Sequence, residues 1–238
     1  MNYLLFIFFG IAPSLLWLAY YLRKDIHPEP KKLITLVFVI GMLATIPAIV
    51  LELAARYALE AVFSASVSLL MLYMLIGVAL VEEFLKYMVF YWAILKNSNK
   101  REVDEPVDFM VYMIVAGLGF AALENILILL GLGPQAPLSD IVSLSALRLV
   151  GATFLHALSS GVLGYFLALA VFKAKWSKLY FVTGLLLVTF LHGFFNIYII
   201  RGEGVSQVVF PLIILIGLAL FTRFGFKQLK SMKSTVSK

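Results

Sequence analysis

A helix needs about 20 consecutive apolar residues to cross a bilayer, and this chain supplies seven such stretches. They cover 2–22, 33–53, 66–95, 107–132, 141–172, 179–200 and 207–221. Of the 238 residues, 63% are hydrophobic and 13% charged. A soluble domain is roughly 45–50% apolar and about 25% charged, so disorder and a water-soluble fold are both excluded. The expected fold class is an all-α polytopic membrane protein, a single domain over 1–238. The first stretch lacks a positive n-region and is too long for a usual h-region, so it reads as a retained span and not a signal peptide.

Basic residues set the expected orientation. Arg23, Lys24, Lys31 and Lys32 flank the first connection, Lys96, Lys100 and Arg101 the third, and Lys173, Lys175 and Lys178 the fifth. Arg223, Lys227, Lys230, Lys233 and Lys238 lie in a basic tail over 223–238. The intervening connections hold only Arg56 and Arg201. The positive-inside rule then puts the N-terminus outside and the C-terminus in the cytoplasm. The net charge of +6 is accounted for by these loops. No basic stretch interleaved with aromatics suggests nucleic-acid binding. Glu52, Arg56 and Glu60 recur every four residues, which predicts a short helix lying in the outer interface.

The functional information lies in ionisable residues placed inside the spans. Glu82, Glu83, Lys86, Glu124, Arg148, His156 and His192 all fall there. A charge at the bilayer centre costs at least about 2.5–3.5 kcal/mol on insertion scales, so each needs a partner or a polar cavity. Counting from the basic ends at about 1.5 Å per residue, Glu83, Glu124, His156 and His192 sit at roughly 20–25 Å. Four helices therefore bring polar groups to nearly one level, past the middle of the core and toward the outer face.

Glu82 and Lys86 are four apart and form a pair on one helix face, with Glu first. Glu83 points about 100° away and is expected to face a cavity. Two acids held in such different surroundings are pushed apart in proton affinity. Glu124 has no cation within a helical turn and must look to another helix or stay protonated. Gly117 and Gly119 before it allow a close helix approach. Ser159 and Ser160 lie three and four residues beyond His156 and so beside it. Arg148 is expected to pair with a glutamate, to contact substrate carbonyls, or to snorkel to headgroups. His192 and Asn196 share a face and present donors of the kind an oxyanion needs. His27 sits in the charged, Pro-rich segment Asp25-Ile-His27-Pro-Glu29-Pro and reads as a solvated loop residue.

Such a set suits activation of water, with a glutamate as general base and histidines steadying the oxyanion. The absence of cysteine excludes disulfides, thiolate metal sites and a cysteine nucleophile. There is no nucleophile-elbow serine, no aspartate pair and no HExxH helix. A zinc site on His156, His192 and Glu124 remains an alternative. So does a proton- or ion-coupled transporter, although no inverted repeat or matched pair of broken helices supports it.

Glu82-Glu83-x-x-Lys86, Phe120-x-x-x-Glu124, His156-x-x-Ser159 (or Ser160) and His192, in that order and span by span, resemble the PrsW-type intramembrane proteases. These look distantly related to the CAAX prenyl-protease and bacteriocin-processing membrane proteases. Glu124 stands where the CAAX branch would have histidine. The resemblance implies cleavage of a membrane-anchored protein, anti-sigma-factor-like, near its outer side in a prokaryotic plasma membrane, with a catalytic core of about 66–200. By carry-over, Glu82 or Glu83 is the base, Glu124 shares protons, His156 and His192 polarise the carbonyl and Asn196 assists. Lys86, Phe120, Arg148, Ser159 and Ser160 support them, without a cofactor. His27→Ala is expected to leave cleavage of a membrane substrate unchanged, and lost activity would contradict the loop reading.

Overall fold

The computed structural model describes residues 3–24, 27–63, 67–96, 99 and 102–232. The expected start points at Asn2 and Ser66, loop residues Lys100 and Arg101, and the end of the tail over 233–238 lie outside the described residues. Among the described residues there is no strand, and seven spans are long and apolar enough to cross a membrane. Within hydrocarbon every backbone N–H and C=O must be satisfied internally, and these helices do so along their own length.

In chain order, α1 is Tyr3–Leu22, α2 Lys31–Val62, α3 Ser68–Leu95 and α4 Asp108–Leu130. After them come α5 (Leu138–Val150), α6 (Ala152–Phe172), α7 (Ser177–Arg201) and α8 (Ser206–Lys230). The order and number of spans agree with the hydropathy reading, and α5 and α6 together make the fifth. Two helix ends and two internal features differ from expectation.

The interfacial helix does not form separately. α2 continues without a break for 32 residues, through Glu52, Arg56 and Glu60. No glycine or proline interrupts 48–62, and the segment is rich in Ala, Leu, Glu and Arg, which favour helix. Arg56 Nε donates to Glu60 Oε1 at 2.9 Å, an i,i+4 pair on the exposed part of the helix. The fifth span, by contrast, is broken at Gly151, whose φ of −103° and ψ of −101° leave the helical region. α3 carries two wide π-type stretches, Tyr73–Leu80 and Tyr91–Leu95, on either side of Val81–Phe90. Such stretches cluster at functional sites. Finally, α8 runs on to Lys230, well past the expected end at Phe221.

α4 is the centre of the bundle. It is buried along nearly its whole length and packs most extensively against α6, α2 and α1. Helices in lipid associate through close packing of small residues, and Gly119 shows how close. A Cβ added there would overlap the Phe38 carbonyl oxygen of α2 and stand 2.9 Å from its carbonyl carbon. Gly117 plays the same part toward α6, where a Cβ would come 2.8 Å from the His156 carbonyl oxygen. Thr45 Oγ1 of α2 donates to the Phe120 carbonyl at 3.1 Å and fixes the register of the pair.

Gly119→Ala should therefore force α2 and α4 apart. We expect a loss of about 1–3 kcal/mol, typical of an overpacked contact, read as a lower unfolding midpoint in lipid. An unchanged midpoint would contradict the packing.

Candidate active site

The cluster begins on α3. Lys86 is fully buried, and an ammonium has three donors and no acceptor capacity. All three are used: Glu83 Oε1 at 2.8 Å, Glu82 Oε2 at 3.3 Å and His156 Nδ1 at 2.7 Å. Its Nζ also lies 4.9 Å from the centre of the Phe120 ring. The expected Glu82–Lys86 pair is present, but Glu83 does not face a cavity. A lysine side chain is long enough to bridge the carboxylates three and four residues before it, and it neutralises both.

These contacts fix both histidine tautomers. Since Lys86 can only donate, His156 Nδ1 accepts, and its proton sits on Nε2. That Nε2 donates to Glu124 Oε2 at 2.8 Å. His192 Nδ1 donates to Glu83 Oε1 at 2.8 Å, which leaves its Nε2 as the acceptor. Ser159 Oγ also donates to Glu83 Oε1, at 3.0 Å. The acceptor nitrogens of the two imidazoles then converge on one carboxylate oxygen. His156 Nδ1 lies 3.7 Å and His192 Nε2 3.8 Å from Glu82 Oε2.

Glu124 finds its cations on other helices. Arg148 Nη2 lies 2.9 Å from Glu124 Oε2, so Arg148 pairs inward and does not snorkel. Sequence reasoning missed the residue that holds it there. Arg148 Nε donates to Asn125 Oδ1. Asn125 Nδ2 donates to Thr153 Oγ1 at 2.9 Å and to the Gly10 carbonyl at 3.2 Å. Asn125 adjoins Glu124 in sequence, but the residues one turn to either side of it are Ala121, Ala122, Ile128 and Leu129, so no helix-face partner marked it as His192 marked Asn196. The break at Gly151 separates Arg148 from His156 and lets both reach Glu124.

A cavity of about 250 Å³ between α2, α3 and α4 gives access to the cluster. Glu82, Glu124 and Phe120 line it, together with Thr45 and Glu52 of α2. Glu52 was assigned to an interfacial helix, and the unbroken run of α2 brings it here instead. Glu83 is fully buried behind Glu82. Two expected members stand apart from the network. Ser160 is buried against Gly117, and its Oγ has no hydrogen-bond partner among the described residues. Asn196 is half-buried one turn beyond His192 and makes none of the polar contacts that join the cluster. His27 is exposed and pairs with Glu105 at 2.6 Å, outside the site.

The donor set also fits a divalent metal, with different ligands from those expected. Glu82, His156 and His192 each offer an atom, all within 4.8 Å of one another. Glu124 instead binds the far nitrogen of His156. Each histidine gives its other N–H to a carboxylate, the arrangement that orients metal-binding imidazoles. Lys86 occupies two of the same three atoms and would compete with a metal for them.

Seven apolar helices closed around one buried acid–base cluster define an integral membrane protein with an enzyme-type site. The model of the family described as PrsW family intramembrane metalloprotease matches residues 29–222. Protease PrsW of Geobacillus kaustophilus is 32% identical over 202 residues, which is 82% of this chain and 79% of that protein. Protease PrsW of Oceanobacillus iheyensis is 31% identical over 208 residues, 87% of this chain and 88% of its own length. Protease PrsW of Bacillus subtilis is 26% identical over 227 residues, 94% of each chain. No solved structure matches. The chain belongs to the PrsW family and is a peptidase of a bacterial membrane.

Removing one partner of a buried ion pair strands the other, typically at about 3–5 kcal/mol. Arg148→Leu is expected at or below the low end, because Glu124 is about a quarter exposed. The double variant Arg148→Leu with Glu124→Leu should recover part of the loss in unfolding experiments. Additive losses would show that the pair is not coupled.

Proposed function

We propose that this peptidase hydrolyses a peptide bond within or beside the membrane span of an anchored protein, in regulated proteolysis of the anti-sigma-factor kind. Water is activated at Glu82. The observation that carries this reading is the convergence of His156 Nδ1, His192 Nε2 and Lys86 Nζ on Glu82 Oε2, at the wall of the cavity. Glu82 takes a proton from water as the oxygen attacks the scissile carbonyl carbon. As Glu82 takes the proton it frees a Lys86 donor, which steadies the oxyanion, while a bare imidazole nitrogen of His156 or His192 accepts a hydrogen bond from the attacking water. The C–N bond then breaks, and the proton held by Glu82 passes to the leaving amine. Glu83 acts behind Glu82 as a positioning residue, holding Lys86, His192 and Ser159. Glu124 and Arg148 hold His156. The cut lies toward the end of the bundle away from the basic connections, the outer side by the charge rule.

A second reading is favoured by the inward-facing imidazole nitrogens and by the family's description as metalloproteases. Glu82, His156 and His192 would hold a divalent metal such as zinc, which supplies Lewis acidity and a bound water of lowered pKa. In that case Glu83 and Glu124 orient the two ligating imidazoles.

Purified protein in lipid, mixed with a panel of single-span membrane substrates, tests the assignment. Glu82→Gln and His192→Ala are each expected to lose cleavage by a factor of at least about 100 while remaining folded, with a lowered unfolding midpoint. Near-normal cleavage by either folded variant would sink it. Metal analysis separates the two readings. The carboxylate reading predicts full activity in chelator-treated, metal-free protein. Stoichiometric zinc, lost with activity and restored with it, assigns the metal.

A further inference from the structure

A cavity larger than the one at the cluster lies elsewhere in the bundle. A groove of about 630 Å³ runs between α1, α6 and α8, walled by Trp17, Phe154, Ile216 and Leu220. It continues into a second, almost wholly apolar hollow of about 300 Å³, and Trp17, Phe154, Ile216 and Ala219 line both. One end differs in chemistry. Lys24, just past α1, and Arg223, two turns before the end of α8, line that mouth with Tyr20. Neither cation has an acidic partner among the described residues. Lys24 Nζ instead lies 4.6 Å over the Tyr20 ring. Both belong to the basic end of the bundle.

A long apolar groove with two unpaired cations at one mouth matches a phospholipid of negative headgroup charge. Basic pockets between membrane helices are a recurrent site for such headgroups. The apolar walls alone would accept any acyl chain, so the selectivity must come from Lys24 and Arg223. We propose that the groove is a binding site for one anionic glycerophospholipid, with its phosphate at Lys24 and Arg223 and an acyl chain along Trp17 and Phe154.

The groove also touches the elements that hold the catalytic cluster. Trp17 stacks on Phe154, with ring centres 4.0 Å apart and planes 9° from parallel. Its Nε1 donates to the Leu149 carbonyl at 2.8 Å. Leu149 follows Arg148, and Phe154 lies two residues before His156. A lipid in the groove thus packs against both sides of the Gly151 break. Its binding is nevertheless independent of how the cluster acts.

Trp17 makes the site directly readable. The other tryptophans are Trp92 and Trp176, and Trp92→Phe with Trp176→Phe leaves Trp17 as the sole emitter. The protein is placed in phosphatidylcholine bilayers containing brominated phosphatidylglycerol or, at equal mole fraction, brominated phosphatidylcholine. The brominated anionic lipid should quench Trp17 with about a fivefold or greater affinity advantage. Lys24→Gln with Arg223→Gln should abolish the advantage, and Lys24→Arg with Arg223→Lys should keep it. Equal quenching by both lipids would overturn the proposal. So would an advantage that persists in the glutamine variant at an unchanged unfolding midpoint.

Discussion

The structure depends on one buried ammonium. Lys86 sits in the apolar interior and spends all three of its donors on Glu82, Glu83 and His156. An ion stripped of water costs several kcal/mol unless its partners replace the lost hydration. That requirement fixes the rest. Two glutamates must stand beside the lysine, one histidine must present a bare nitrogen, and that histidine must give its remaining proton to a third acid. Glu124 then needs a cation of its own, which Arg148 supplies. The tautomers and the direction of every proton in the network follow from this sequence of needs.

The bundle is arranged to deliver these groups to one place. α4 is threaded through the middle, and small residues at 117 and 119 let α6 and α2 close on it. α3 contributes two carboxylates and the lysine, α6 and α7 the histidines, and α4 the third acid. The break after α5 turns Arg148 back toward Glu124. A rigid interior holds acid and base groups at working distance, while the cavity beside α2 keeps Glu82 and Glu124 accessible.

Much of this was legible in the sequence, because hydrocarbon makes a charge conspicuous. Glu82, Glu83, Lys86, Glu124, His156 and His192 could be picked out by cost alone, and counting residues from the basic ends put them at one level. The azimuths of side chains on a single helix were also predictable, as the Glu82–Lys86 pair shows. The rotation of one helix against another was not. For that reason Glu83 was assigned to a cavity that Glu82 faces instead, and the metal-ligand set was drawn with Glu124 in place of Glu82. Asn125 escaped notice because no polar residue lies one turn from it on its own helix, and Glu52 because its helix was expected to end early. Asn196 shares a turn with His192, as its spacing requires, yet helix spacing alone does not say what a residue meets across the interface.

The central claim is that peptide hydrolysis takes place at this buried cluster and not at a surface site. Its most direct test is the position of the cut bond. Fragments of a single-span substrate, produced by the protein in sealed vesicles, would be sized by mass spectrometry. The account predicts new termini inside the substrate's apolar span or at its outer edge, at the level of Glu82 and His192. Cuts confined to water-exposed loops well away from the span would contradict it.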